Sequence, residues 1–150
     1  MIKKIIFFLL ILTLSNCGYQ PIFVKNSANK ILIQEYQLIG DKTVNRRIIS
    51  QLNFKQSPKN NSGYTLAINS LKKVKIVAKD QTGNASKFRT NVTVNIKISK
   101  DNNLVKEKSF SESYNYSNSS NKFDLLQYRK AIDNNLIEKI IEEIIIFLNT

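Results

Sequence analysis

The sequence predicts an α+β fold: a two-layer sandwich in which a four-stranded sheet carries two helices packed on one face, in the order β-α-β-β-β-α. Three observations carry this. Residues 64–116 contain three consecutive stretches in which apolar side chains recur at every second position, the period of a strand with one dry face and one wet face. Two other stretches, 42–54 and 124–148, space their apolar residues three and four apart, as one face of a helix does. One-sided strands and one-sided helices close a common core by stacking in two layers.

Taken in order, residues 31–39 (ILIQEYQLI) are rich in β-branched and aromatic side chains and read as the first strand, broken by Gly40-Asp41. The Asp41 carboxylate is placed to accept hydrogen bonds from the free amides of a following helix. Val44, Ile48 and Leu52 then form its apolar face, with Asn45, Arg46, Arg47 and Gln51 on the other sides. Residues 56–63, with Pro58, Asn60, Asn61 and Gly63, read as a loop. In 64–79, Leu66, Ile68, Val74, Ile76 and Ala78 share one parity, and Lys73, Lys75 and Lys79 the other. Ser70 and Lys72 interrupt the apolar side, which predicts a bulge or kink there.

A flexible turn with Gly83 and Asn84 spans 80–86. Phe88, Thr90, Val92, Val94, Ile96 and Ile98 then alternate with Arg89, Asn91, Thr93, Asn95 and Lys97, the cleanest strand pattern in the chain. A tight turn at 101–103 leads to a fourth strand, 104–116, with Phe110, Tyr114 and Tyr116 in register. These three strands make an antiparallel meander. After a polar loop, Asp124 with Gln127 three residues on has the pattern of a capping box, and Phe123 and Tyr128 are placed as its hydrophobic staple. Leu125, Tyr128, Ile132, Leu136, Ile140, Ile144 and Phe147 line one face of the last helix, and 137–148 is apolar on more than one side. With no repeat and no composition break, 31–150 reads as a single domain.

The amino terminus is different in kind. Lys3 and Lys4 precede an unbroken apolar run, 5–14, and then Leu14-Ser15-Asn16-Cys17. A charged start, a short apolar core and a polar break make an export signal, and about ten apolar residues fall short of the roughly 20 that span a bilayer. Leu-Ser-Asn-Cys resembles the lipobox of bacterial lipoprotein precursors, with Asn16 where Gly, Ala or Ser is usual. That resemblance implies a signal peptide over 1–16, a diacylglycerol on the Cys17 thiol and a lipidated tether over 17–30. Gly18, where lipoproteins kept in the inner membrane usually carry Asp, implies passage to the outer membrane. Two or more acyl chains suffice for a stable anchor.

Beyond the signal, 134 residues remain from Cys17 to Thr150, enough for one core. Cys17 is the only cysteine, so no intrachain disulfide forms, and the chain has neither histidine nor tryptophan. Setting aside Lys3 and Lys4 leaves 21 Lys and Arg against 11 Asp and Glu, a net charge near +10. Such a surface calls for a polyanionic partner. Export argues against nucleic acid and leaves phosphorylated lipids or acidic surfaces, although a lysine-rich composition yields the same balance without any partner. Catalysis is not indicated: no histidine serves as base or metal ligand, and the carboxylates are scattered without paired or metal-ligand spacing. The expectation is a non-enzyme without metal or cofactor other than the covalent lipid on Cys17.

Cys17-Gly18-Tyr19-Gln20-Pro21, then Ala78-Lys79-Asp80 leading through a loop to Phe88-Arg89, then the closing helix, occur in an order that resembles the LPS-assembly lipoprotein, or LptE, family over the whole mature chain. The resemblance implies a small lipoprotein on the periplasmic side of the outer membrane, plugging a large LPS-assembly β-barrel (LptD-like) and helping lipopolysaccharide to the surface. It also implies two lipid-binding positions: Arg89, matching the Arg of the Phe-Arg step, and Lys122, matching a Lys before the last helix. Arginine offers a planar fork to phosphate and lysine a mobile point charge. Lys73, Lys75, Lys79, Lys87 and Lys97 would share the wet face with Arg89 as a cationic stripe. The lipopolysaccharide-binding candidates are therefore Arg89, Lys122, Lys87, Lys79 and Lys75. Each of these also fits the ordinary fate of a solvated strand residue. Tyr114 and Tyr116 read as packing residues. The alternative is an exported lipoprotein that scaffolds or assists another envelope lipid-transport system.

Overall fold

The computed structural model describes residues 31–56 and 63–149; the expected signal and tether, and the expected loop between Gln56 and Gly63, lie outside them. Strand β1 (Leu32–Gly40) leads to helix α1 (Lys42–Leu52) and a two-residue strand β2 (Lys55–Gln56). Three long strands follow, β3 (Tyr64–Lys79), β4 (Ala85–Lys100) and β5 (Asn103–Ser117), and the chain closes with helix α2 (Lys122–Asn149). They form one sheet in the order β2-β1-β3-β4-β5. The β3-β4-β5 meander is antiparallel. β1 runs parallel to β3, a pairing that a hairpin cannot make and for which α1 is the crossover.

Both helices cover the same face. Val44, Ile48 and Leu52 of α1 join Leu66, Ile68, Val92, Val94, Ile96, Ile98 and Phe110 of the sheet in one core with Ile132, Leu136, Ile140 and Ile144 of α2. α2 lies on β5 and β4 and also touches α1. It therefore needs two apolar stripes, and Ile137 and Ile141 are buried along with the first. That accounts for most of the breadth of its apolar end. Among the described residues no helix is long and apolar enough to cross a membrane. Lys106 of β5 donates its Nζ to the Phe147 carbonyl at 3.3 Å, placing a cation where a helix C-terminus carries partial negative charge.

Local chemistry sets the boundaries. The Asp41 carboxylate caps α1 by accepting from the amides of Thr43 and Val44, as the sequence predicts. The helix stops at Leu52 and not at Phe54, because Asn53 takes the left-handed conformation (φ 43°) and its amide bonds back to the Ile49 carbonyl. Asparagine tolerates that conformation better than most residues. Asp101 and Asn102 both have positive φ, 50° and 64°, which is what a two-residue hairpin requires to match strand twist. The cap of α2 lies three residues before the expected Asp124. Asn121 Oδ1 accepts from the amides of Phe123 and Asp124, and Asn121 Nδ2 donates to the Asp124 carboxylate at 2.7 Å. Phe123 is exposed and staples nothing, whereas Tyr128 packs edge-on against Tyr116.

No bulge forms at Ser70 or Lys72; the β3-β4 register is unbroken from Thr65 to Ile76. The sheet accepts two polar residues on its dry side because each finds a partner there. Ser70 Oγ donates to the Asp41 carbonyl, and Lys72 Nζ meets the Asp133 carboxylate of α2 at 2.7 Å. The register shifts instead lie between Ile76 and Lys79, where β3 must enter the turn. At Gly40 (φ +92°), an added Cβ would lie 1.8 Å from the Ser70 carbonyl oxygen. Only glycine lets β1 close on β3 this tightly before the chain turns into α1.

Candidate functional site

The sheet face turned away from the helices is open, and alternation decides what it shows. On β4 it presents Arg89, Asn91, Thr93, Asn95 and Lys97, while Thr90, Val92, Val94 and Ile96 are buried. Lys75 stands directly opposite Arg89, and Lys73 opposite Asn91. Directly opposed residues project from the same side of a sheet, so Lys73, Lys75, Lys87 and Arg89 share this face as expected.

Lys97 and Lys79 lie toward the two ends of this face. Lys97 is opposed by Glu107 of β5, so its charge has a cross-strand counterpart. Lys79 lies beyond the register shift: Ala78 stands opposite Lys87, and Lys79 opposite Ala85. That pairing sets Lys79 at the turn end of the strand, opposite a residue with the parity of Lys87 and Arg89. Among the described residues, the open face toward the β3-β4 turn carries Lys73, Lys75, Lys87 and Arg89 and no acidic residue opposite them. Like charges set directly opposite one another, as Lys75 and Arg89 are, destabilise a sheet.

Arg89 is aimed by a neighbour. Its Nε donates to Asn115 Oδ1 on β5 at 2.7 Å, which fixes the guanidinium plane and leaves its terminal amino groups without a partner among the described residues. Asn115 belongs to a row of small polar side chains, Ser109, Ser111, Ser113, Asn115 and Ser117, that β5 presents beside the cations. This row was not singled out from sequence. Its signal was there, in the polar alternation of SFSESYNYS, but it resembles any solvated strand.

Lys122 sits at the same end of the molecule on another element. It lines an open cleft of about 550 Å³ together with Asp80, Asn84, Ala85, Ser86, Asn118, Ser119 and Ser120. Asn118 builds that cleft by tying the β5-α2 loop to β4: its amide donates to the Ser86 carbonyl and its side chain to the Ala85 carbonyl, both at 2.8 Å. The facing turn is not loose. The Asp80 carboxylate accepts from Thr82 Oγ1 and from the amides of Thr82 and Asn84. These bonds, the one from the Thr82 hydroxyl foremost, hold its pKa below the usual carboxylate value. Tyr116 is buried and stacked on Phe88, centroids 5.6 Å apart, which is a packing role.

No cluster of three His, Cys, Asp or Glu side chains suited to a metal occurs among the described residues. What the fold and this face define is a small two-layer α+β module with one sheet face closed by helices and the other left open and basic. The same fold occurs in a minor lipoprotein from Acinetobacter baumannii (11% identity, TM-score 0.59, 79% of this chain and 92% of that one). It occurs also in rare lipoprotein B from Shewanella oneidensis (13%, 0.51, 75% and 91%). A third instance is an uncharacterized lipoprotein B from Nitrosomonas europaea (11%, 0.54, 85% and 88%). No curated protein matches the sequence. The family itself is settled by sequence: the model for LptE, lipopolysaccharide assembly, matches residues 23–148, and the chain belongs to that family. Membership implies a lipopolysaccharide-assembly role in association with the transport machinery of the envelope, in a family of non-enzymatic lipoproteins.

Proposed function

We propose that the protein is the lipid-anchored accessory subunit that plugs the outer-membrane LPS-assembly β-barrel and holds lipopolysaccharide during its insertion into the outer leaflet. Residues 1–16 are then the signal, Cys17 carries the lipid, 17–30 is the tether and 31–150 the docking domain. The observation that carries the lipid-binding part is the uncompensated cation cluster around Arg89, with Lys75 opposite and Lys87 on the same face. Phosphates of lipid A or the core are its natural counter-ions, because a guanidinium held at Nε presents its remaining donors as a fork. The polar row of β5 adds hydroxyl and amide groups beside it, and Lys122 supplies a mobile charge at the cleft.

The test is lipopolysaccharide binding by the full-length chain in mild detergent. Arg89→Glu should weaken binding at least about tenfold, since charge-assisted hydrogen bonds are lost and repulsion is added. Lys97→Gln, whose charge Glu107 already faces, should change it little. Equal binding by the wild type and Arg89→Glu refutes the site. For the partner, pull-down of the tagged chain from its own membranes should recover one large β-barrel in near-equal amount. Recovery of an inner-membrane transporter in its place refutes the plug role. Cys17→Ser should release the chain from the membrane.

A further inference from the structure

β3 is longer than its neighbour. β1 pairs with it only as far as Gly40 and Ser70, where the Asp41 amide donates to the Ser70 carbonyl at 3.1 Å and the chain leaves the sheet as α1. β3 continues to Lys79 with β4 on one side and, among the described residues, no strand on the other. Because the Ser70 carbonyl points to the β1 side, alternation turns the amide and carbonyl groups of Lys72, Val74 and Ile76 the same way, onto the open edge. Bare edges of this kind template further strands.

The side chains along it are unusual for an unprotected edge. Leu71, Val74, Ile76 and Val77 are 48, 40, 53 and 43% exposed. Lys72, Lys73, Lys75 and Lys79 stand among them, and 71–79 contains no acidic residue. The Lys72 ion pair with Asp133 anchors this stretch to α2. Two such edges brought together would set lysine against lysine, so the charge opposes self-pairing and favours an acidic strand. We propose that the edge from Leu71 to Ile76 is a docking strand for an extended segment of a partner polypeptide in which acidic and apolar residues alternate. That segment joins the sheet beside β3, where β1 ends. Its acidic side chains lie with Lys73 and Lys75 on the open face, and its apolar ones with Val74 and Ile76. The edge from Leu71 to Ile76 runs about 20 Å, at roughly 3.4 Å per residue. The site shares Lys75 with the face that carries Arg89, and its use of the edge backbone distinguishes it from lipid binding there.

The probe is a blocked heptapeptide alternating glutamate and valine, added to the full-length chain in non-ionic detergent and followed by amide hydrogen exchange. Binding should slow exchange at Lys72, Val74 and Ile76 at least about tenfold and leave Leu71, Lys73 and Lys75 unchanged, because those amides already face β4. This alternation is the signature of an added strand. The double variant Lys73→Glu, Lys75→Glu should weaken binding by roughly tenfold, two opposed charge pairs being turned into repulsions. A peptide N-methylated at every residue cannot complete the ladder in either strand direction and should not bind. Equal binding of the methylated peptide overturns the proposal, as does protection without the period of two. Protection that grows with protein concentration in the absence of peptide would make the occupant a second copy, and protection by lipopolysaccharide alone would make it lipid; either overturns it too.

Discussion

Lys75 and Arg89 offer a perturbation whose effects on stability and on binding have opposite signs. They stand opposite each other across β3 and β4, and both side chains are exposed. With the charged ends splayed to roughly 7 Å in a water-like dielectric, their repulsion is about 0.6 kcal/mol. Screening at about 0.15 M salt, with a Debye length near 8 Å, reduces it to about 0.3 kcal/mol. Lys75→Gln keeps most of the side chain and removes the repulsion. The melting temperature should therefore rise by about 1 °C at that salt and by about twice as much at low salt, taking 2–4 °C per kcal/mol for a domain of this size. Lipopolysaccharide binding should weaken over the same comparison by roughly five- to tenfold, the loss of one charge-assisted contact. Thermal melts at two ionic strengths and a binding titration on the same preparations measure both. A variant that melts lower and binds as well as wild type refutes the reasoning, because the two cations would then be a tolerated solvated pair.

Four other outcomes follow from the backbone and the packing. Gly40→Ala should lose about 3 kcal/mol or more, because positive φ is strained for alanine and its Cβ would overlap the Ser70 carbonyl. Gly83→Ala, at φ +86° but with nothing within 4 Å, should lose only about 1 kcal/mol, so chemical denaturation of the two separates the clash from the backbone strain. Thr90→Val should gain about 1 kcal/mol, since Thr90 Oγ1 is buried without a partner and valine has the same shape; a lowered denaturation midpoint contradicts this. Asp133→Asn should cost about 1 kcal/mol by weakening the part-buried Lys72 pair, and a double-mutant cycle with Lys72→Met should return a coupling of similar size. A coupling near zero would mean that the pair does not hold β3 to α2.

The elements themselves were legible because each rests on local chemistry. The alternation of Phe88 to Ile98 sorts the residues of β4 between two faces whatever lies beside the strand, and the Asp41 cap and the Asp101-Asn102 turn need only their own neighbours. The α2 cap was misplaced because Asn121 and Asp124 are both good capping residues, and the choice depends on where the β5-α2 loop delivers the chain. Ser70 and Lys72 looked like interruptions because their partners, the Asp41 carbonyl and the Asp133 carboxylate, are 29 and 61 residues away.

The candidate site divides in the same way. Arg89, Lys75, Lys73 and Lys87 could be placed on one face from parity, since the register there is unbroken or shifts only at its end. Parity places Lys97 there too, but it does not show that Glu107 stands opposite, which is a matter of strand pairing, nor does it show the register shifts beside Lys79. By itself, then, the sequence determined the kinds of element, their order, their faces and the surplus of positive charge, because period and composition are properties of the chain. Only the tertiary structure decided which charges stay uncompensated and where β1 leaves β3 with an open edge, because both depend on which distant strand lies alongside.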